Sequence, residues 1–135
     1  MKSNKIIFFF LAVFAFTSCK KENIEPIEMP DGLYAIWVEN GYSEEISIFK
    51  KVSEFDADKY GFQILGRGKF VERKNSGWCA TPPIAYINYE GKWSKLTDSL
   101  INVETEYWGG TMFFQLEIVS INENELKVRY NYQND

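Results

Sequence analysis

The feature that most constrains this chain is an alternation of apolar and polar side chains with a period of two residues. In the stretch 126–132, Leu, Val and two Tyr side chains alternate with Lys, Arg and Asn, and the stretches 101–107 and 112–118 behave in the same way. No segment after Gly32 carries a sustained helical period. Because successive side chains of a strand point to opposite faces, this pattern predicts half-buried β-strands. Residues 33–135 are therefore predicted to form one all-β domain.

Turn signals divide this domain into about eight strands. Asn40-Gly41 predicts a type I′ hairpin turn, while Gly66-Arg67-Gly68 and Gly109-Gly110 predict tight reversals. The predicted strands lie near 33–39, 43–52, 60–65, 68–74, 84–93, 99–107, 111–121 and 126–132. Short connections between consecutive strands favour an antiparallel meander, which can close into an up-and-down barrel with no exposed edge. A two-sheet β-sandwich is the alternative.

A meander also predicts which loops share an end of the barrel. Connections after even-numbered strands would lie where the first strand begins, so Trp78, Cys79 and Trp108 are expected at one rim on the N-terminal side. An eight-stranded barrel has room for side chains or for one small ligand. The aromatic residues expected to point inward are Tyr89, Trp93, Tyr107, Phe114, Tyr130 and Tyr132. Their bulk predicts a filled core with at most a shallow pocket at the rim.

The N-terminal segment predicts where the protein goes. Lys2 and Lys5 precede an apolar run over residues 6–16. As a helix this run would span about 17 Å, too short for a hydrocarbon core of roughly 30 Å, but it fits the apolar region of a signal peptide. Phe16-Thr17-Ser18-Cys19 follows and resembles the lipobox of bacterial lipoproteins, in which the cysteine is acylated and exposed by cleavage. Residues 1–18 are therefore predicted to be a lipoprotein signal peptide.

By this resemblance Cys19 is the lipid attachment site. Each acyl chain contributes about 0.8 kcal/mol per buried methylene, so two or three chains hold a protein stably on a membrane. The sequence Ser18-Cys19-Lys20-Lys21 resembles lipoprotein precursors of Bacteroidetes, and it lacks the aspartate that favours retention in the inner membrane. Residues 19–32 are polar and acidic and contain Pro26 and Pro30, which predicts a flexible linker after the lipidated cysteine. The expected location is the outer membrane, on its periplasmic side or at the cell surface.

Three stretches of the predicted barrel carry a further resemblance: SGWCATPPIAY at 76–86, EGKW at 90–93 and EYWGG at 106–110. With the lipidated start, they resemble small lipocalin-like lipoproteins of Bacteroidetes, a largely uncharacterised family. The resemblance implies a lipocalin-like barrel at the outer membrane more than it implies an activity. True lipocalins carry their G-x-W motif on the first strand, whereas Gly91-Lys92-Trp93 lies in mid-chain. Their ligand mouth lies opposite the N-terminal entry, whereas the rim with Trp78 and Trp108 is expected on the N-terminal side.

Composition argues against an enzyme and against nucleic-acid binding. The chain has no histidine, which removes His-based acid–base chemistry and most zinc and copper sites, and its net charge of −4 comes without a basic cluster. Residues 56–61 begin like a calcium-binding loop but lack the glutamate that closes one. Glu104 and Glu106 fit solvent-facing positions of a strand. If Cys19 is lipidated, Cys79 has no partner, and we interpret it as a small buried side chain. No catalytic residue, metal or cofactor is predicted.

Aromatic residues near predicted loops are the remaining candidates for binding. Trp78 lies in a loop that contains Pro82-Pro83, and Trp108 follows Tyr107 at the Gly-Gly turn. Loop tryptophans act as interface anchors, as pocket walls or as a plug over a barrel end. We therefore expect a monomeric, membrane-anchored barrel that binds a small apolar or amphipathic ligand near Trp78, Trp108, Tyr107 and Trp93. The alternative is a non-catalytic interaction or inhibitor module with a filled barrel that binds another envelope protein.

Overall fold

The computed structural model describes residues 29–78 and 81–132, which form eight strands and no helix. The strands are β1 (Ile36–Ser43), β2 (Ile46–Val52), β3 (Gly61–Ile64), β4 (Lys69–Asn75), β5 (Tyr86–Lys95), β6 (Leu100–Tyr107), β7 (Gly110–Ile121) and β8 (Glu125–Tyr132). All neighbours are antiparallel and the sheet closes into a barrel, which confirms the predicted fold over the sandwich. Within the described ranges no helix is long and apolar enough to cross a membrane. The predicted signal peptide, Cys19 and Cys79 lie outside these ranges.

The strand order departs from a simple meander at one point. Strands β3 to β8 are consecutive neighbours, but β2 pairs with β8 and β1 pairs with β3, so that the order around the barrel is β1-β2-β8-β7-β6-β5-β4-β3. A simple meander would pair β2 with β3 and β1 with β8. Because β2 and β3 both run antiparallel to β1, they run in the same direction. The connection 53–60 must therefore cross β1 between them.

This connection crosses on the outside of the barrel. Trp37 belongs to the core, so Val38 points outward, yet Val38 is fully buried. On the same outer face, Arg73 donates from Nε and Nη2 to two carbonyl oxygens of the connection, at 2.9 and 3.1 Å. These hydrogen bonds hold residues 53–60 against the wall, where the segment covers Val38.

The crossing determines what lies at each end of the barrel. We call the end where β1 begins the entry end and the opposite one the far end. The entry end carries the connections 65–68, 96–99 and 122–124. The far end carries the turn 44–45, the connection 76–85, the turn 108–109 and the end of β8.

Trp78 and Trp108 share one end of the barrel, but their predicted position on the N-terminal side is wrong. The odd–even rule for loops assumes that every strand reverses the direction of the strand before it. Since β2 and β3 are parallel in space, the rule inverts after β2, and both tryptophans lie at the far end.

The first hairpin turn also lies elsewhere than predicted. Asn40 and Gly41 lie inside β1, at a bulge where the register with β2 shifts between Glu39 and Gly41. The turn is formed by Glu44 and Glu45, with φ angles of 51° and 67°. Positive φ at both central positions is what a tight type I′ turn requires, and it is strained for residues other than Gly, Asn and Asp. Strand register has overridden local turn preference here.

The core fills the barrel from the entry end upward. Met29 and Leu33 are buried at the entry end, and Trp37 Nε1 donates to the Leu33 carbonyl at 3.1 Å. Trp93 is only 4% exposed, and its Nε1 donates to the Leu65 carbonyl at 2.8 Å. Above them lies a connected group of buried rings: Phe49, Phe62, Phe70 and Phe114. These aromatic contacts leave a filled lower and middle barrel.

The pairing of β1 with β3 is short, with three residue pairs, and it depends on a glycine. A Cβ atom at Gly61 would lie 2.6 Å from the Trp37 carbonyl oxygen and 3.3 Å from the Val38 Cα. We expect Gly61→Ala to force the two strands apart and to lower the free energy of unfolding by about 1–3 kcal/mol, measured by urea denaturation. In Gly66→Ala the new Cβ meets nothing within 4 Å, so this control should stay within about 0.5 kcal/mol of wild type. Equal stabilities for the two variants would contradict this packing.

Candidate functional site

At the far end the barrel is lined by polar and aromatic side chains instead of aliphatic ones. Tyr60, which precedes β3, Glu72 and Lys74 of β4, and Tyr130 of β8 lie on the inner side by the same alternation that buries the core phenylalanines. We call these four residues the polar layer. It rests directly on the core, because the Tyr130 ring lies 5.5 Å from the Phe114 ring.

The hydrogen bonds of the polar layer have a defined order of donors and acceptors. Glu72 is 2% exposed, and its Oε1 accepts from the Tyr60 hydroxyl at 2.7 Å while its Oε2 accepts from Lys74 Nζ at 2.6 Å. A phenol has one proton, so Tyr60 must accept at 2.9 Å from the hydroxyl of Tyr130. The buried carboxylate is therefore fully engaged, and within the described residues no buried side-chain nitrogen or oxygen lacks a partner.

Lys74 is held by two kinds of contact. Besides the ion pair with Glu72, its Nζ lies 5.2 Å from the centre of the Tyr89 ring, a cation–π geometry. Tyr89 in turn donates its hydroxyl to the Ser76 carbonyl at 3.2 Å, which ties the connection 76–85 to the inner wall. The far end thus holds one ammonium group between a carboxylate and an aromatic face.

Burial changes the acidity of the tyrosines around this layer. Burial is the main cause that raises the pKa of Tyr60 well above its usual value, and the neighbouring Tyr130 and the Glu72 charge add to it. Burial likewise raises the pKa of Tyr130 well above its usual value, although its hydrogen bond to Tyr60 acts in the opposite sense. For Tyr132 burial and then the Glu72 charge raise the pKa. All three phenols therefore stay protonated at neutral pH and act as neutral hydrogen-bonding groups.

Exposed aromatic side chains border the polar layer. We call them the aromatic rim: Tyr42, Trp78, Tyr107, Trp108 and Tyr132. Trp78 is 79% exposed, and Tyr132, although stacked on Tyr130 with ring centres 6.0 Å apart, is 58% exposed. Tyr107 and Trp108 meet edge to face at 5.7 Å. Exposed apolar side chains gathered at one place on a small protein indicate a binding surface.

Three of the four residues predicted to bind a ligand or partner lie at this end. Tyr107, Trp108 and Trp78 belong to the aromatic rim, whereas Trp93 is buried near the entry end. Glu72 and Lys74 were missed as site residues. Their signal was present, because they alternate with Val71 and Arg73 and share the face of the buried Phe70.

The acids that the sequence assigned to a solvent-facing strand lie on the outer wall. Glu104 and Glu106 of β6, with Glu90 and Lys92 of β5, line a shallow depression between these two strands. Among residues 29–78 and 81–132, no group of three or more His, Cys, Asp or Glu side chains is placed to hold a metal ion.

The protonation of the polar layer can be tested by alkaline titration of the eight tyrosines. A pKa raised by folding contributes stability that is fully present below pH about 10 and is lost as the pH rises through the folded-state pKa. We expect Tyr60 and Tyr130 to ionise only when the barrel unfolds, so that tyrosinate absorbance ends in a step that coincides with loss of near-UV circular dichroism. Ionisation of all eight tyrosines near pH 10 in a folded protein would contradict a buried, engaged polar layer.

Comparisons with known proteins add no relative to this picture. A scan against protein-family models, a search of curated proteins and a search of solved structures found no match for this chain. The resemblance to lipocalin-like lipoproteins stays an expectation from the sequence, and the functional argument depends on the far end of the barrel.

Proposed function

We propose that this protein is a non-enzymatic envelope lipoprotein whose barrel binds a small amphipathic ligand at the far end. The observation that carries this proposal is the difference between the two ends. At the entry end, Met29 and Leu33 are buried over a filled core, whereas at the far end Tyr132 and its neighbours on the aromatic rim stay exposed above a polar layer. An apolar wall beside a few placed polar groups is the usual composition of a small-molecule site.

The chemistry of this end favours an amphipathic ligand. The rim offers aromatic faces to an apolar body. The polar layer offers a hydrogen-bond acceptor to a head, because the Tyr130 oxygen keeps its lone pairs while its hydroxyl donates to Tyr60. Because the core rings fill the barrel beneath the polar layer, the ligand would lie at the surface of the far end.

The proposed ligand site and the predicted membrane anchor lie at opposite ends of the barrel. If Cys19 carries the lipid, the linker that follows leads to β1 at the entry end, so the lipid is attached to the end of the barrel opposite the candidate site. In true lipocalins, too, the ligand site lies opposite the N-terminal entry. A ligand would then reach the site from the aqueous side, in the periplasm or outside the cell.

The second candidate function is binding of another envelope protein through the same rim. It is favoured by the exposure of Trp78 and of Tyr42, since Trp and Tyr are enriched among residues that dominate protein interfaces. The two functions differ in what the rim needs. A small ligand needs the polar layer beside the rim, whereas a flat interface needs the rim alone.

Ligand binding can be tested on the mature chain with Cys19→Ser, which differs from the protein only in its lipid. We expect dodecyl amphiphiles to bind in isothermal titration calorimetry, and Trp78→Ala with Trp108→Ala to weaken their binding about tenfold or more, since each lost ring contact contributes roughly 1 kcal/mol. Leu96→Ala is the matched control, because Leu96 is 52% exposed in a connection at the entry end. Binding that is absent, or that is equally weakened in the control, would contradict the ligand-binding proposal and favour a protein partner.

The anchor can be tested by metabolic labelling with an alkyne-bearing fatty acid in a Gram-negative host. We expect the full-length protein to incorporate the label through the thioether, amide and ester links of a lipoprotein N-terminus, and Cys19→Ser to lose it. Cys79→Ser is the matched control, since it removes the other cysteine and should keep the label. Label that persists in Cys19→Ser would refute lipidation at this position.

A further inference from the structure

We infer that the ligand of the far end is a cationic amphiphile, with an amine or quaternary ammonium head and an apolar body. The inference rests on the proposed function and adds the charge of the ligand to it. Three independent features of the far end carry it: the sign of its charges, the way it already holds an ammonium group, and its exposed aromatic faces.

Charge is distributed unevenly between the ends of the barrel. Exposed acids border the far end, namely Glu39, Glu44, Glu45 and Glu106. Among the basic residues toward that end, Lys74 is paired with Glu72, and Arg73 is bound to loop carbonyls and to the Asn88 side chain. The entry end carries both signs, with the acids Asp31, Asp98 and Glu123 beside the bases Lys51, Arg67 and Lys69. The far end is therefore the more negative of the two ends, and it attracts cations.

The carboxylate charges of the far end also act on the tyrosines inside the barrel at that end. The Glu72 charge contributes to the raised pKa of Tyr60, Tyr130 and Tyr132, and the Glu39 charge contributes to that of Tyr130. A carboxylate head placed among these phenols would meet the same repulsion that disfavours the phenolate. An ammonium head would be attracted.

Lys74 shows the type of contact that such a head would make. Its Nζ lies 2.6 Å from Glu72 Oε2 and 5.2 Å from the centre of the Tyr89 ring. Ammonium ligands are bound in proteins by this combination of a carboxylate and aromatic faces. In the chain, Glu106 on the outer wall precedes Tyr107 and Trp108 of the rim, and Glu44 follows Tyr42 by two residues. With acids and aromatic faces at the same end, the far end suits an ammonium head better than a carboxylate head.

The test compares three dodecyl amphiphiles of equal chain length on the mature Cys19→Ser chain: dodecyltrimethylammonium, dodecyl maltoside and dodecanoate. All are titrated below their micelle concentrations while near-UV circular dichroism confirms that the barrel stays folded. We expect the cationic probe to bind about tenfold more tightly than dodecanoate at low salt, and the ratio to shrink as salt screens the field. Equal or tighter binding of dodecanoate would overturn the cationic inference and leave the proposed ligand site intact.

Two variants with the same change in net charge locate the effect. The first removes three far-end charges by Glu44→Gln, Glu45→Gln and Glu106→Gln, and should weaken the cationic probe at least about threefold without weakening dodecanoate. The second removes three entry-end charges by Asp31→Asn, Asp98→Asn and Glu123→Gln, and should change neither. Equal losses in the two variants would show an effect of net charge alone and overturn the inference. If none of the three amphiphiles binds, the proposed ligand site fails as well.

Discussion

The pairing of β1 with β3 is the contact on which the rest of this barrel depends. It joins the N-terminal hairpin to the meander of β3 to β8, and with the pairing of β2 and β8 it removes the last free edges of the sheet. The pairing is short, and Gly61 allows the close approach of the two backbones. It also forces residues 53–60 across the outside of β1. As a result, Tyr60, the last residue of that segment, enters the barrel beside Glu72.

Strand β4 links the outside of the barrel to the candidate site. Arg73 points outward and holds the crossing segment, while Glu72 and Lys74 point inward and form the centre of the polar layer. A buried carboxylate is costly unless its oxygens are bonded and its charge is paired, and Tyr60 and Lys74 meet both requirements. The same segment that closes the fold therefore supplies the hydrogen bond that makes a charged residue tolerable inside the barrel.

Most of the fold could be predicted because alternation is a local signal. The eight strands, their turns at residues 66–68 and 109, and the inward side of Phe114 and Tyr130 all follow from the period of two. The first hairpin could not be predicted in this way. Asn-Gly is a strong turn signal, but pairing along β2 places the reversal four residues later, at Glu44 and Glu45. The loop aromatics of the candidate site were predicted from the sequence, but Glu72 was not. An acid in a polar stretch of sequence does not by itself show that neighbouring strands will bury it.

By itself the sequence determined that this chain is all-β, which side of each strand faces inward, and that Trp78 and Trp108 share an end, since these properties depend on neighbours in the chain. Only the tertiary structure decided that the β1–β2 hairpin joins the sheet with β1 beside β3 and β2 beside β8. It also decided that the two tryptophans lie opposite the N-terminal entry, and that Tyr60 meets Glu72 and Tyr130. The physical reason is that strand pairing joins residues far apart in the chain. Several pairings satisfy the same alternation, and packing against a shared core selects one of them.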